Sequence, residues 1–347
     1  MKTPAEFKNS IVDKTVSIEH CLSILNSKTR PTLFIVEDNN RLLGTLTDGD
    51  IRRALLNGIG IKEPVTRAMQ SNPIISYSYE SRDVRYARIR ENNILSLPVV
   101  DKSRMLVGLE IINSDEENLP NTAVLMCGGL GSRMGELTKE CPKPMLKING
   151  TPMLEKILCR LVRCGIRNFI FAINYLGEMI EEYFGDGEKW NVCINYLHED
   201  RRLGTGGALS LIEERPSQAM IVMNADILTD FDIRNILDFH IQTHSSATMG
   251  IVEHHYQNPY GVVRHHDSKL IGIDEKPIEK WNINSGIYVI EPELIDIVPK
   301  KTFIDMPDIL LLAMKAGKLI TVFPLLETWA DIGRKPDYLK AQVVFQS

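Results

Sequence analysis

The sequence predicts an α/β protein in two parts, and three observations predict it. In the back of the chain, β-rich runs alternate with amphipathic stretches, the pattern of a sheet with helices on both faces. A polar, acidic stretch with a proline, "NSDEENLPN" at Asn113–Asn121, sets that region apart. The region ahead of it repeats itself. The expected division is a front domain at residues 1–116, a linker at 117–121 and a back domain at 122–347. Both domains fall within ordinary sizes.

In the front domain, "VEDNNRLLGTLTDGD" begins at Val36 and "VVDKSRMLVGLEIIN" at Val99. Asp38 and Arg41 match Asp101 and Arg104 at the same offset, and an apolar pair and a glycine follow in both. Each copy reads as helix, strand, turn, strand. "PTLFIVED" and "LSLPVVD" supply the β-rich runs. "DIRRALLNGI" has helical spacing, with Asp50 expected at its N-cap. Two copies are too few for a solenoid, so a pair packed face to face is expected.

In the back domain, "TAVLMC", "NFIFAIN", "AMIVMNA", "ATMGIVE" and "SGIYVIE" are the strand candidates. "PMLEKILCRLVRCG" and "IRNILDFHIQT" carry apolar residues at three- and four-residue steps and read as helices. Ligands in such sheets sit beyond the carboxyl ends of strands. A glycine-rich stretch follows the first strand at that point.

Composition narrows the function classes. The formal net charge of −5 argues against a general nucleic-acid binder. The six cysteines form no C-x-x-C pair, so reduced thiols are expected. The first ten residues lack the apolar centre of a signal peptide, and no run approaches a membrane span. A soluble cytoplasmic protein is expected.

The glycine stretch is "LMCGGLGSRMGELTKECPKPML", Leu125 to Leu146. It is not a dinucleotide fingerprint, because Met134 stands at the third glycine and Asn174, not an acid, follows "NFIFAI". It is not a Walker A loop, because Ser132 and Arg133 follow Gly131. Gly128, Gly129 and Gly131 let the backbone approach a ligand closely. Arg133 can fork phosphate oxygens. Lys143, restrained by Pro142 and Pro144, can be aimed at a charge.

These residues resemble the signature of the sugar-1-phosphate nucleotidyltransferases. The resemblance continues in order through "LGTGGAL" from Leu203, "NAD" at Asn224–Asp226, "YGVV" from Tyr260, "EKP" from Glu275, "NSGIY" from Asn284 and "WADIG" at Trp329–Gly333. The chain departs where the family often has Arg-Pro, here Gly135-Glu136, and where it has Ala, here Cys127. The resemblance implies a Rossmann-like mixed sheet of the GT-A type. It also implies transfer of a nucleotidyl group from a nucleoside triphosphate to a sugar 1-phosphate, with Mg²⁺ as cofactor. Arg133, Lys143, Asp226 and Asp331 would be catalytic, the two aspartates as metal ligands. Taken alone, Asp226 also reads as a strand-end turn cap and Asp331 as a helix N-cap before "IGRKPDYLKA". Cys127, Gly128, Gly129, Gly131, Ser132, Leu203, Gly204, Thr205 and Gly207 would bind the nucleotide. Glu199, in "HEDRR", could accept hydrogen bonds from guanine or be a solvated loop charge. Gly261, Glu275, Lys276 and Asn284 would bind the sugar phosphate. "LGTGGAL" resembles guanylyltransferases most, so GTP is expected first and UTP second. No β-helix run follows the last motif, so no appended β-helix domain is expected. The histidine pairs His254-His255 and His265-His266 are assigned no role.

The front repeat resembles a tandem cystathionine-β-synthase (CBS) pair, most clearly in "GTLTDGDIRRAL". Thr47 and Asp50 match the positions that hold an adenosine ligand in that family. The second copy has Ile112 and Asp115 there, so at most one site for an adenine or guanine nucleotide is implied. The alternative is a ligand-free pairing module that makes a homo-oligomer. A CBS pair ahead of such a catalytic domain resembles the glucosamine-1-phosphate guanylyltransferases. Mannose- or heptose-1-phosphate guanylyltransferase and uridylyltransferase remain alternatives, as does a non-catalytic nucleotide sensor. No nucleic acid or membrane partner is expected.

Overall fold

The computed structural model describes residues 3–4, 7–26, 32–37, 40–92, 94, 96–111 and 118–345. It divides into two units, 1–117 and 118–347.

The first unit shows the repeat as topology. β1 (Ile11–Asp13), α1 (Ile18–Asn26), β2 (Thr32–Glu37), β3 (Arg41–Thr47) and α2 (Asp48–Leu56) are followed by β4 (Ser76–Tyr77), α3 (Arg82–Glu91), β5 (Ser96–Val100) and β6 (Leu106–Ile111). In each half a short strand lies parallel to the second strand, which pairs antiparallel with the third. The sequence reading missed the short first strands, which are too brief to carry a period. Phe34, Val36 and Leu42 of the first half share a core with Val100, Leu106 and Leu109 of the second. Asp50 is not the N-cap of its helix. Thr47 is the N-cap, and Asp50 sits three residues on in a reciprocal capping box. The linker is corrected too: Leu119, Pro120 and Asn121 already belong to a strand. Ile112, Asp115 and Glu117 of the linker lie outside the described residues, while Asn118 is exposed.

The second unit is built on β7 (Leu119–Met126). A short hairpin, β8 (Lys147–Ile148) and β9 (Thr151–Pro152), precedes α4 (Met153–Arg163) and β10 (Ile166–Ile173). α5 (Gly177–Phe184), β11 (Cys193–His198), α6 (Gly204–Gly207), β12 (Met220–Asn224), β13 (Ile227–Thr229) and α7 (Ile233–Thr243) follow. The long strands β14 (Ala247–Gln257) and β17 (Ile278–Ile290) flank the hairpin β15 (Val262–His266) and β16 (Lys269–Asp274). α8 (Met306–Lys315), β18 (Ile320–Leu325), β19 (Trp329–Asp331) and α9 (Lys335–Val344) complete it.

Seven strands form one mixed sheet in the order β11-β10-β7-β12-β17-β14-β18. Alternation decides what each face meets. Ala123 and Leu125 of β7 join one core with Met153, Ile157 and Leu161 of α4. Val124 joins the other with Met306, Ile309 and Leu310 of α8. Both faces are apolar because both are covered. Burying each such side chain contributes roughly 1.5–3 kcal/mol. β7 has β10 on one side and β12 on the other, so the chain reverses its order of strands there. That switch point opens a crevice beyond the strand ends.

β14 and β17 run past the sheet as an exposed two-stranded arm that carries the β15–β16 hairpin. His254, His255, His265 and His266 lie on it, exposed. Among the described residues no group of three or more His, Cys, Asp or Glu side chains could hold a metal. The six cysteines are free. No helix of the described residues is long and apolar enough to cross a membrane.

Candidate active site

A cavity of about 270 Å³ occupies the crevice at the ends of β7 and β12. Cys127, Gly128, Gly129, Arg133, Lys143, Glu199, Gly204, Thr205, Asp226 and Asp331, all expected from the sequence, line it. Met126, Pro144, Arg202, Asn224, Ala225, Phe303 and Asp305 line it as well.

The glycine stretch leaves β7 and turns sharply at Gly131, whose φ of 63° lies in the left-handed region. A Cβ there would fall 2.8 Å from Thr138 Cγ2 and 3.1 Å from Lys143 Cβ. Gly131 therefore brings the loop onto the Thr138 and Lys143 side chains and does not itself line the cavity. Ser132 is exposed and stays outside it too. Met134, where a dinucleotide loop has its third glycine, is buried in the core beneath β7.

Lys143 opens a short 3₁₀ turn between its two prolines. The side chain is buried, and its ammonium donates to Asp226 Oδ2. Asp226 lies in the turn between β12 and β13. Asp331 ends β19, which pairs antiparallel with β13 so that Ile227 stands opposite Asp331. The Ile332 N–H donates to the Asp226 carbonyl at 2.9 Å. This small ribbon brings together two carboxylates far apart in the chain. Asp331 is not the N-cap of the last helix, since Arg334 holds that position. Burial and the neighbouring Asp226 charge raise the Asp331 pKa, against Lys143 and Arg133, which lower it. Two converging carboxylates with the buried Lys143 and the exposed Arg133 beside them are a hard-oxygen donor set suited to one divalent ion shared with phosphate oxygens. Beside them, the Asn224 Oδ1 is buried with no hydrogen-bond partner among the described residues. An acceptor left in this state is costly unless a ligand or ordered water meets it.

The other end of the cavity is built differently. Glu199 is buried, not a solvated loop charge. Its backbone is pinned by its own N–H to the Ile173 carbonyl and by the Asn174 amide to its carbonyl. So Asn174, at the place of a dinucleotide fold's acid, fixes another acid instead. One Glu199 oxygen accepts from the Leu203 N–H at 2.9 Å. The other lies 2.6 Å from where a Gly128 Cβ would stand. Burial raises the Glu199 pKa, while the Leu203 N–H and the Arg202 charge lower it. Cys127 is buried between the two ends, and burial, then Asp226 and Glu199, push its thiol pKa far up.

The "LGTGGAL" loop is divided by the structure. Gly204 and Thr205 line the cavity, but Leu203 is buried away from it. Gly207 is packed so that a Cβ would meet the Thr302 carbonyl at 2.5 Å. Gly204, at φ 81°, stands equally close to the Ile304 carbonyl. These glycines fit the loop against residues 302–306. Thr205 and Asp305 cap each other. Asp305 Oδ1 accepts from the Thr205 N–H at 2.8 Å, and Thr205 Oγ1 accepts from the Met306 N–H at 3.0 Å. No local pattern marks Phe303 or Asp305, because their place depends on this pairing.

Gly261, Glu275, Lys276 and Asn284 do not line the cavity. They ride on the arm, where a Gly261 Cβ would meet Glu275 Oε2 at 2.9 Å. Lys276 takes a φ of 47°, unfavourable for a lysine. The Asn284 amide donates to the Tyr288 hydroxyl and accepts from the Gly286 N–H. In the first unit, Thr47 Oγ1 donates to Asp50 Oδ2 at 2.7 Å and accepts from the Asp50 N–H, while Asp50 Oδ1 accepts from Arg53.

Comparison with known proteins supplies the family. The nucleotidyl transferase family matches residues 122–347, and the CBS domain family matches residues 8–57. The chain is 30% identical over 233 residues to the mannose-1-phosphate guanyltransferase of Yarrowia lipolytica, covering 65% of this chain and 64% of that protein. It is 29% identical over 226 residues to the mannose-1-phosphate guanylyltransferase of Mycobacterium tuberculosis, covering 63% and 62%. It thus spans less than two thirds of the length of the curated relatives it matches. Among solved structures, HddC from Yersinia pseudotuberculosis is similar at 27% identity and a TM-score of 0.51, over 65% of this chain and 99% of that one. The same protein complexed with GMP-PN is similar at 26% identity, also with a TM-score of 0.51 and the same coverage of both chains. The chain belongs to the nucleotidyl transferase family, with a CBS domain ahead of its catalytic fold.

Proposed function

We propose that the protein transfers GMP from GTP to a sugar 1-phosphate. A phosphate oxygen of the sugar bonds to the α-phosphorus, the bond from that phosphorus to the β-phosphate oxygen breaks, and pyrophosphate leaves. No protein nucleophile is needed, so the residues position two anions and neutralise them. Arg133 forks triphosphate oxygens. Lys143 passes from Asp226 to the phosphates and stabilises the charge that develops on the leaving group. Asp226 and Asp331 would hold Mg²⁺, which supplies charge neutralisation at the reacting phosphate. Glu199 accepts from the guanine N1–H and 2-amino group.

The observation that carries the reading is that Arg133, Lys143, Asp226 and Asp331, from separate parts of the chain, line one cavity. A non-catalytic nucleotide sensor has no need of all four. The GMP-PN named in the HddC complex supports a guanine nucleotide. Glucosamine 1-phosphate is the acceptor that the domain order implies. Mannose 1-phosphate is the second reading, favoured by the names of the relatives. Glu275, Lys276, Asn284 and the Gly261 backbone would cover the sugar from the arm.

For the first unit we propose assembly of copies, because Thr47 and Asp50 already satisfy each other. Calorimetry of the whole chain with AMP tests this: heat that Asp50→Ala removes would restore the nucleotide sensor. The catalytic reading is tested by pyrophosphate release from four nucleoside triphosphates against a panel of sugar 1-phosphates. GTP with glucosamine or mannose 1-phosphate is expected to lead. No release from GTP with any sugar would sink the reading.

A further inference from the structure

Arg202 lines the cavity but belongs to none of the motifs described above. Among the described residues its guanidinium makes no hydrogen bond or ion pair within bonding distance. Its neighbour Arg201, by contrast, donates to the Lys301 carbonyl at 2.5 Å. The turn closed by the Leu203 N–H on Glu199 sets Arg202 beside Glu199, whose carboxyl its charge lowers. Electrostatics separate this end from the phosphate end. The charges that act on Asp331 include Lys143 and Arg133, while Arg202 is the cation that acts on Glu199. The segment carrying Phe303 is tied alongside by the Ile304 N–H to the Leu203 carbonyl at 2.9 Å, so an exposed aromatic ring stands at the same end.

We infer that Arg202 is a base-specificity residue that donates to O6 and N7 of the purine while Glu199 accepts from N1–H and the 2-amino group. The inference rests on the guanylyl transfer proposed above and deepens it. Around guanine, the 2-amino group, N1–H, O6 and N7 follow one another along one edge. A carboxylate followed by a guanidinium matches that order of two donors and two acceptors, and the fork of Arg matches O6 and N7 in geometry. Adenine presents N1 as an acceptor to the carboxylate and its amino group to the guanidinium, so both contacts repel. Uracil has no N7 and sets its O2 against the second carboxylate oxygen.

The test compares kinetics of wild type, Arg202→Met and Arg202→Lys with GTP, 7-deaza-GTP, ITP and UTP. Arg202 is exposed, so the variants are expected to melt with wild type. Wild type should lose on 7-deaza-GTP, which lacks N7, and on ITP, which lacks the 2-amino group. Arg202→Met should raise the KM for GTP by about 10- to 100-fold, lose the 7-deaza penalty, keep the ITP penalty and leave the sugar 1-phosphate KM unchanged. Arg202→Lys should recover part of the loss. An equal 7-deaza penalty in wild type and Arg202→Met would overturn the inference and leave guanylyl transfer standing. So would an equal rise in KM for every triphosphate, which is the mark of a phosphate contact. A wild type that prefers UTP would overturn both readings.

Discussion

Thr47 with Asp50 and Asp226 with Asp331 are two pairs of motif residues with opposite fates. Thr47 and Asp50 lie three residues apart in the first unit and bond to each other across the first turn of a helix. Asp226 and Asp331 lie on different strands of the second unit and converge through the β13–β19 ladder. Capping explains the first pair completely. The second pair has no such local explanation: burial and then the Asp226 charge raise the Asp331 pKa, while Lys143, whose ammonium donates to Asp226, lowers it. A pair with a local explanation is weak evidence for a ligand. A pair held together at a cost is strong evidence for one.

The comparison breaks first at Asp226. Asp226→Asn is expected to abolish pyrophosphate release with a much smaller effect on the melting midpoint, because the amide relieves the charge beside Asp331 while its oxygen still accepts from the buried Lys143 ammonium. A variant that releases pyrophosphate normally would place the pair among structural features. A smaller effect is expected at Thr205→Val. It removes the acceptor of the Met306 N–H and one bond to Asp305, at about 1–2 kcal/mol by denaturant unfolding. Because it loosens the loop that lines the cavity, it should also raise the KM for the triphosphate. An unchanged KM would confine Thr205 to stability.

The smallest effect sharpens the other side of the comparison. In the first unit the Arg88 fork, the Ser76 hydroxyl and the Tyr77 N–H hold the Glu80 carboxyl down at about 2. A depressed carboxyl stabilises the fold above its unfolded pKa, and the contribution is lost as pH falls through the folded value. Stability of the first unit should therefore decline from the ordinary glutamate range down toward pH 2. Glu80→Gln should flatten that decline in a circular-dichroism melt series, with catalysis unaffected at neutral pH. An identical decline in the variant would assign acid sensitivity to other carboxylates.

Legibility followed distance along the chain. The helices α4 and α7 and five strands of the main sheet were readable because their periods are local. β11 and β18 were not, since "CINYLH" and "ITVFPL" carry no clean alternation and are strands because neighbours pair with them. Asp50 was misplaced by one role: an acid at a helix start reads as a cap, and only the backbone shows that Thr47 takes that place. Glu199 shows the reverse. Among three other charges it reads as solvated, yet Gly128 and the Asn174 amide enclose it.

Local sequence was enough to point to phosphate chemistry and to the family. Glycines, Arg133 and a proline-held Lys143 after a first strand are local devices for phosphate, and their order with the later motifs determined the family. Which residues face the cavity was set by the tertiary structure. It turned Gly131 and Gly207 into packing positions, drew Arg202, Asn224, Phe303 and Asp305 to the cavity, and paired Asp226 with Asp331. The physical reason is that packing and strand register join residues that no local period relates, and a site needs groups that converge in space.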